Sequence, residues 1–279
     1  MGRIVGAYAM SHVLGTPEGL AEPSERVFQG MREIGARLRA ADPDLIIVLT
    51  SDHLNNFEIR APKPLAIGTA DSFTPYGDMG LPTVPFRGNA TVAQGLLRAA
   101  RAAGIGLETA DVKPDHGMMI PLGIVDPTHA IRSFPLYINT VCDPAPTPAE
   151  CWSLGGVLRR YVEDALPRDF RVALLAGGGL SHWLGVPEEG RVNVEWDLWV
   201  MERLNSGHGA ELAGLTNDAI LRDGGNGGLE VNAWIALAGA VPGARGETIF
   251  YEAIPAWASG MAGIALDPAT ATGDHTILR

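Results

Sequence analysis

The chain has 279 residues, 46% of them apolar and 19% charged, with a net charge of −11. That composition can fill the core of one large α/β domain or two small ones, and an acidic chain without a basic stripe excludes a partner held through nucleic-acid phosphates. Two cysteines, Cys142 and Cys151, are too few for a disulfide framework, and no stretch approaches the ~18 uninterrupted apolar residues of a membrane helix, so a cytoplasmic protein with reduced thiols is expected.

Along the chain, helical and strand patterns alternate. Residues 3–10 form an apolar run that Ser11 and His12 interrupt at once, which reads as a first strand rather than a signal peptide. Ser24 is placed to cap a helix with Val27, Met31, Ile34 and Leu38 on one stripe, closed before Pro43. The run LIIVLT (45–50) is a buried strand, and the proline-rich stretch 61–87 reads as loop or short edge strand. Asn89 opens a second helix through Leu96, Leu97 and Ala100, ended by Gly104. A strand at 135–141 precedes a helix from Pro148 to about Leu166, then the buried strand RVALLA (171–176). Helices are expected at 194–205, 208–222 and 229–240, followed by the strand IFYEAI and a glycine-rich tail. Near-continuous apolar strands between helices predict an α/β fold with a central mixed sheet covered on both faces. No low-complexity linker divides the chain, so residues 1–279 are expected to form a single domain.

One short pattern recurs. IVGAYAMSH (4–12), LIIVLTSDH (45–53) and VALLAGGGLSH (172–182) each run a hydrophobic strand into a histidine, and a further histidine sits in KPDHG (113–117). Ligands of open α/β sheets bind in a cleft beyond the carboxyl ends of the strands, where His12, His53 and His182 fall. A lone histidine is more often a hydrogen-bonded structural residue; three at strand ends are costly unless they act together. His129, His208 and His275 lack that context and are assigned to surface or loop. Glu230, in GGNGGLEVNAWIALAGA, is a lone acid at the start of an apolar helix. It either favours the helix dipole or completes two histidines and one carboxylate, a set that suits non-haem Fe(II), with zinc as the alternative. A zinc hydrolase therefore stays open at this point. Neither cysteine has a partnered base, and GGGLSH lacks the G-x-S-x-G frame of a nucleophile elbow and the Lys-Ser/Thr of a phosphate loop. Asp52 and Asp115, each directly before a histidine, are candidates to orient a ring or shape the pocket, and because adjacent side chains on a strand point oppositely neither need touch its own neighbour.

Six fragments in order, the N-terminal SH, SDHLNNF, PDHG, GGGLSH, GLEVNAW and IPAWASGMAG, resemble the class III extradiol ring-cleavage dioxygenases over nearly the whole chain. That superfamily includes the protocatechuate 4,5-dioxygenase beta subunit and 2,3-dihydroxyphenylpropionate 1,2-dioxygenase. The resemblance implies Fe(II) held by His12, His53 and Glu230, with His182 as active-site base and His116 as second catalytic histidine. It further implies a small aromatic diol and O₂ as substrates, a homo-oligomer, and in some relatives a small accessory subunit over the cleft. Trp257 stands where protocatechuate enzymes carry a serine, which argues against protocatechuate itself.

Overall fold

The computed structural model describes residues 1–12, 15, 18–141 and 143–272. Its framework is an eight-stranded sheet in the order β6-β3-β7-β2-β8-β1-β10-β9. The strands are β1 (Arg3–Met10), β2 (Leu45–Thr50), β3 (Leu65–Gly68), β6 (Glu108–Ala110), β7 (Arg132–Ile138), β8 (Arg171–Ala176), β9 (Gly246–Ile254) and β10 (Ser259–Leu266). The two-residue strands β4 (Ser72–Phe73) and β5 (Phe86–Arg87) pair separately. Between the strands run α1 (Ala21–Ala40), α2 (Ala90–Ala102), α3 (His116–Val125), α4 (Pro148–Ala165), α5 (Val194–Asn205), α6 (Asn217–Gly228) and α7 (Val231–Ala240).

The four central strands β7, β2, β8 and β1 are parallel, and antiparallel pairings at β3/β7, β1/β10 and β10/β9 make the sheet mixed. Every residue of β2 is buried, so both faces are covered. α1 packs on α3, and α4 on α7. The second contact is close because Gly155 and Gly239 leave no Cβ between the backbones; one on Gly155 would lie 2.1 Å from the Ala236 carbonyl oxygen. Ala176 pairs with both Ala9 and Leu49, so β1, β8 and β2 end level with one another. That register places three chain exits side by side at the carboxyl edge.

Four expectations change. Ser24 is not a cap: the helix begins at Ala21, and the Ser24 hydroxyl donates back to the Leu20 carbonyl at 2.8 Å. The proline-rich stretch contributes β3, an interior strand between β6 and β7. Residues 208–222 are not one helix; a 3₁₀ turn covers Gly209–Gly214, and the extended Thr216 then caps α6, its side chain accepting from the Ala219 amide. The glycine-rich tail is β10, a strand inside the sheet. Its glycines are there for clearance, since a Cβ on Gly260 would sit 2.0 Å from Asp197 Oδ2 and one on Gly263 2.2 Å from the Phe250 ring.

Candidate metal and catalytic site

β1 hands over to Ser11 and His12. The Ser11 amide donates to the Ala262 carbonyl, and its hydroxyl accepts from the Ala262 amide at 3.0 Å, which ties the strand end to β10. β8 hands over to Gly177, Gly178 and Gly179. Gly178 has φ +103, and a Cβ there would lie 2.7 Å from the Glu230 Cβ, so both backbone and space require glycine. Successive amides of this run hold two site residues. The Gly178 N–H donates to His12 Nδ1 and the Gly179 N–H to Glu230 Oε2, each at 2.9 Å. Gly178 and Gly179 thus form a main-chain cradle, a use that the sequence left undecided.

Glu230 follows α6 and precedes α7 and is 5% exposed. Its Oε1 lies 3.1 Å from His53 Nε2 and 3.7 Å from His12 Nε2, and its Oε2 lies 3.7 Å from His182 Nε2. Burial alone would raise this carboxyl, but His12, His53 and His182 outweigh it and hold the group well below the usual carboxylate range. Its partners are imidazoles and one amide, with neither lysine nor arginine among them. A buried carboxylate so placed is a ready cation site.

His53 bridges two carboxylates. Its Nδ1 lies 3.1 Å and its amide 2.9 Å from Asp115 Oδ2, and its Nε2 faces Glu230. Burial would lower its pKa, but the Asp115 and Glu230 hydrogen bonds prevail and push it up to about 10. Asp115 in turn is held at about 2, burial again opposing and His53 prevailing. Its other oxygen accepts the Gly117 amide and caps α3, so one side chain both starts the helix and orients the ring. Asp52 accepts the Asn56 and Phe57 amides and the Asn56 side chain, and Asn56 clasps both the amide and carbonyl of Lys113. It therefore shapes the loop after His53 and docks it on the loop before His116.

His12 is the electrostatic opposite of His53: burial pushes it down to about 4 and keeps it neutral. Because its Nδ1 accepts the Gly178 amide, its proton sits on Nε2 toward Glu230. An ion bound at Nε2 displaces that proton. The rings of His12, His53 and His116 converge, with centroids 5.0, 5.5 and 4.1 Å apart, and offer ring nitrogens within 4.8 Å of one another. The His116 amide and Nδ1 both meet Asp78, a residue that the sequence reading missed.

His182 lies in a slot of glycines. Its Nδ1–H donates to the Leu180 carbonyl at 3.0 Å, leaving the Nε2 lone pair toward Glu230. A Cβ on Gly227 would fall 2.0 Å from that ring. Asp197 of α5 fixes the approach by accepting the Ser181 amide at 2.7 Å, and the Tyr251 hydroxyl donates to its other oxygen at 2.8 Å.

All five residues singled out in the sequence therefore share one locus. The remaining histidines lie elsewhere: His129 stacks near Phe86, His208 pairs with the Ser206 hydroxyl, and His275 is outside the described residues. Cys151 is buried in α4, where burial pushes its thiol up, and Cys142 is outside the described residues. Trp257 is 4% exposed and packs edge-on to Phe28 and against Gly15. No helix among the described residues is long and apolar enough to cross a membrane.

Residues 6–262 match the family described as the catalytic LigB subunit of aromatic ring-opening dioxygenase. A 2,3-dihydroxyphenylpropionate/2,3-dihydroxicinnamic acid 1,2-dioxygenase of Cupriavidus necator is 31% identical, the match covering 91% of this chain and 93% of that protein. The protein of the same name from Burkholderia vietnamiensis is 30% identical, covering 85% and 87%. An uncharacterized protein of Escherichia coli K12 shares the fold, with a TM-score of 0.62 at 16% identity over 93% of this chain and 99% of that one.

Proposed function

We propose a reaction from the premise that this chain belongs to the family of the catalytic LigB subunit of aromatic ring-opening dioxygenases. It is an Fe(II)-dependent extradiol dioxygenase that opens the ring of a catechol with O₂, and 2,3-dihydroxyphenylpropionate, named for its relatives, is the first substrate to try. The observation that carries this reading is Glu230, a buried carboxylate whose Oε1 lies 3.1 and 3.7 Å from two imidazole nitrogens without a lysine or arginine.

The donor set fits a divalent metal: His12, His53 and Glu230 are the ligands, a carboxylate and two imidazoles that leave room for substrate. A ferrous ion there supplies the Lewis acidity that acidifies a catechol hydroxyl and the redox chemistry that joins oxygen to the ring. The protein's own part is to hold ligands and move protons. Asp115 fixes the His53 ring through Nδ1 and directs Nε2 inward. His182 has its Nδ1–H committed to a carbonyl, so Nε2 is the atom that accepts the hydroxyl proton. His116, with its Nδ1–H committed to Asp78, takes the proton of the second hydroxyl at Nε2 and gives it back to oxygen as the ring opens.

Anaerobic loading with Fe(II), addition of a panel of catechols, and admission of air test this reading. Oxygen uptake with a yellow ring-fission product is expected for at least one diol. Absence of uptake with every diol at full iron occupancy overturns it, above all if zinc in the same protein supports a hydrolysis.

A further inference from the structure

We propose that Asp78 is a positioning residue for the reaction, fixing the tautomer and direction of the His116 ring; this rests on the catalytic role of His116 proposed above.

The geometry is specific. Asp78 Oδ2 lies 2.5 Å from His116 Nδ1, and Oδ1 accepts the His116 amide at 3.0 Å. An ionised carboxylate can only accept, so Nδ1 carries the proton and Nε2 is left as the working atom. The ring sits with its centroid 4.1 Å from that of His53 and 5.5 Å from that of His12, so Nε2 is delivered to the side where the metal ligands and substrate meet. A free imidazole would divide its proton between two nitrogens and turn about χ2; this one does neither.

The segment that carries Asp78 is built for this contact rather than for burial. Tyr76 and Met79 are among the exposed large apolar residues, Met79 at 62%. Gly77, Met79 and Gly80 all take positive φ, at 85°, 53° and 74°. Left-handed backbone at a methionine is unfavourable and persists only where other contacts fix it. Those contacts lead to the site: the Tyr76 amide donates to the Pro114 carbonyl at 2.8 Å, and both Asp78 oxygens engage His116. The Asn55 side-chain amide reaches Asp78 Oδ2 at 3.3 Å and Asp115 Oδ2 at 3.1 Å, coupling the carboxylate behind His116 to the one behind His53.

A purely structural Asp78 would only add a second cap to α3, through Oδ1 and the His116 amide. The two roles separate in Asp78→Asn and Asp78→Ala. Asparagine keeps an acceptor oxygen for Nδ1–H but not the charge; alanine removes both. In the metal-free protein, long-range ¹⁵N–¹H correlation spectra should show His116, assigned by its loss in His116→Ala, protonated at Nδ1. That state should persist in Asp78→Asn and become mixed in Asp78→Ala. With iron and a catechol that the wild type cleaves, kcat should fall about 10-fold in Asp78→Asn and about 100-fold in Asp78→Ala, within the usual contribution of one acid–base group, with KM little changed. The double variant Asp78→Ala/His116→Ala should be no slower than His116→Ala alone.

An unchanged tautomer in a folded Asp78→Ala protein, or losses that multiply in the double variant, overturns the proposal. Failure of the wild type to cleave any catechol would sink the dioxygenase reading instead. The tautomer spectra decide the Asp78 contact without turnover.

Discussion

The two halves of the site are held by different means. His12 and His182, 1% and 2% exposed, stand at strand ends and are fixed by main-chain groups, the Gly178 amide and the Leu180 carbonyl. His53 and His116, with side chains 21% and 20% exposed, are fixed by carboxylates, Asp115 and Asp78. Main-chain contacts near the sheet carry little net charge, and burial keeps His12 neutral at about 4. Carboxylates do the reverse and lift His53 to about 10. A metal bound as proposed would therefore release a proton from each ligand histidine, the Nε2 proton of neutral His12 and the additional proton that two carboxylates hold on His53. Glu230 joins the halves, since its carboxylate lies 3.1 to 3.7 Å from His12, His53 and His182.

Removing the joint should have the largest effect. Glu230→Gln removes the carboxylate between the halves, and iron affinity should fall at least ~100-fold, the upper end for loss of a tuning partner, read as iron bound per chain after dialysis. Retention of full iron would show that the three histidines suffice. Next comes Gly227→Ala, a change confined to the sheet-side half. The added methyl meets the His182 ring, so kcat should drop about 100-fold, as for loss of one acid–base group, while iron content stays at wild-type level. Parallel loss of iron would mean that His182 and the ligands are not separable.

A smaller change is expected from Asp115→Asn on the loop side. The His53 ring loses a charged partner, and metal affinity should weaken about 10-fold, the low end for an outer hydrogen-bond partner. Because Asp115 also holds the competing proton on His53, the variant gives that proton up more readily, and the defect relative to wild type should shrink as the pH falls. The smallest consequence for catalysis should come from Asp197, which bears on His182 only through the Ser181 amide. Burial lifts its carboxyl to about 6, with the Ser181 and Tyr251 hydrogen bonds opposing. A carboxyl whose folded value exceeds its unfolded one favours folding while protonated. Its contribution is therefore complete below about pH 4, the unfolded value, and lost as the pH rises through 6, roughly 3 kcal/mol in all, of which about 2 kcal/mol falls between pH 4.5 and 7. Urea titrations of wild type and Asp197→Asn at pH 4.5 and 7 should differ by that much. Equal pH dependence in both proteins would remove Asp197 from this role.

Much of the fold was legible because its signals are local. LIIVLT and RVALLA are too continuously apolar to be anything but buried, and Asn89 marks the start of α2 by the side-chain oxygen that accepts the Val92 amide. The missed elements are those whose reason lies far away in sequence. The glycines of β10 look like a tail until Asp197 and Phe250 are seen to occupy the space a side chain would take. Thr216 breaks an otherwise continuous helical pattern by capping α6.

The site divides in the same way. By itself the sequence determined that three strands end in histidine and that a lone glutamate opens α7, since strand length and hydrophobic period depend on neighbours only. The family resemblance then gave those groups expected roles. Only the tertiary structure decided what holds each ring. Asp78 is 38 residues from His116, and Glu230 is 177 from His53 and 218 from His12. Hydrogen bonds across such separations follow from which strand ends lie level and which loops cross, and no short-range pattern encodes either.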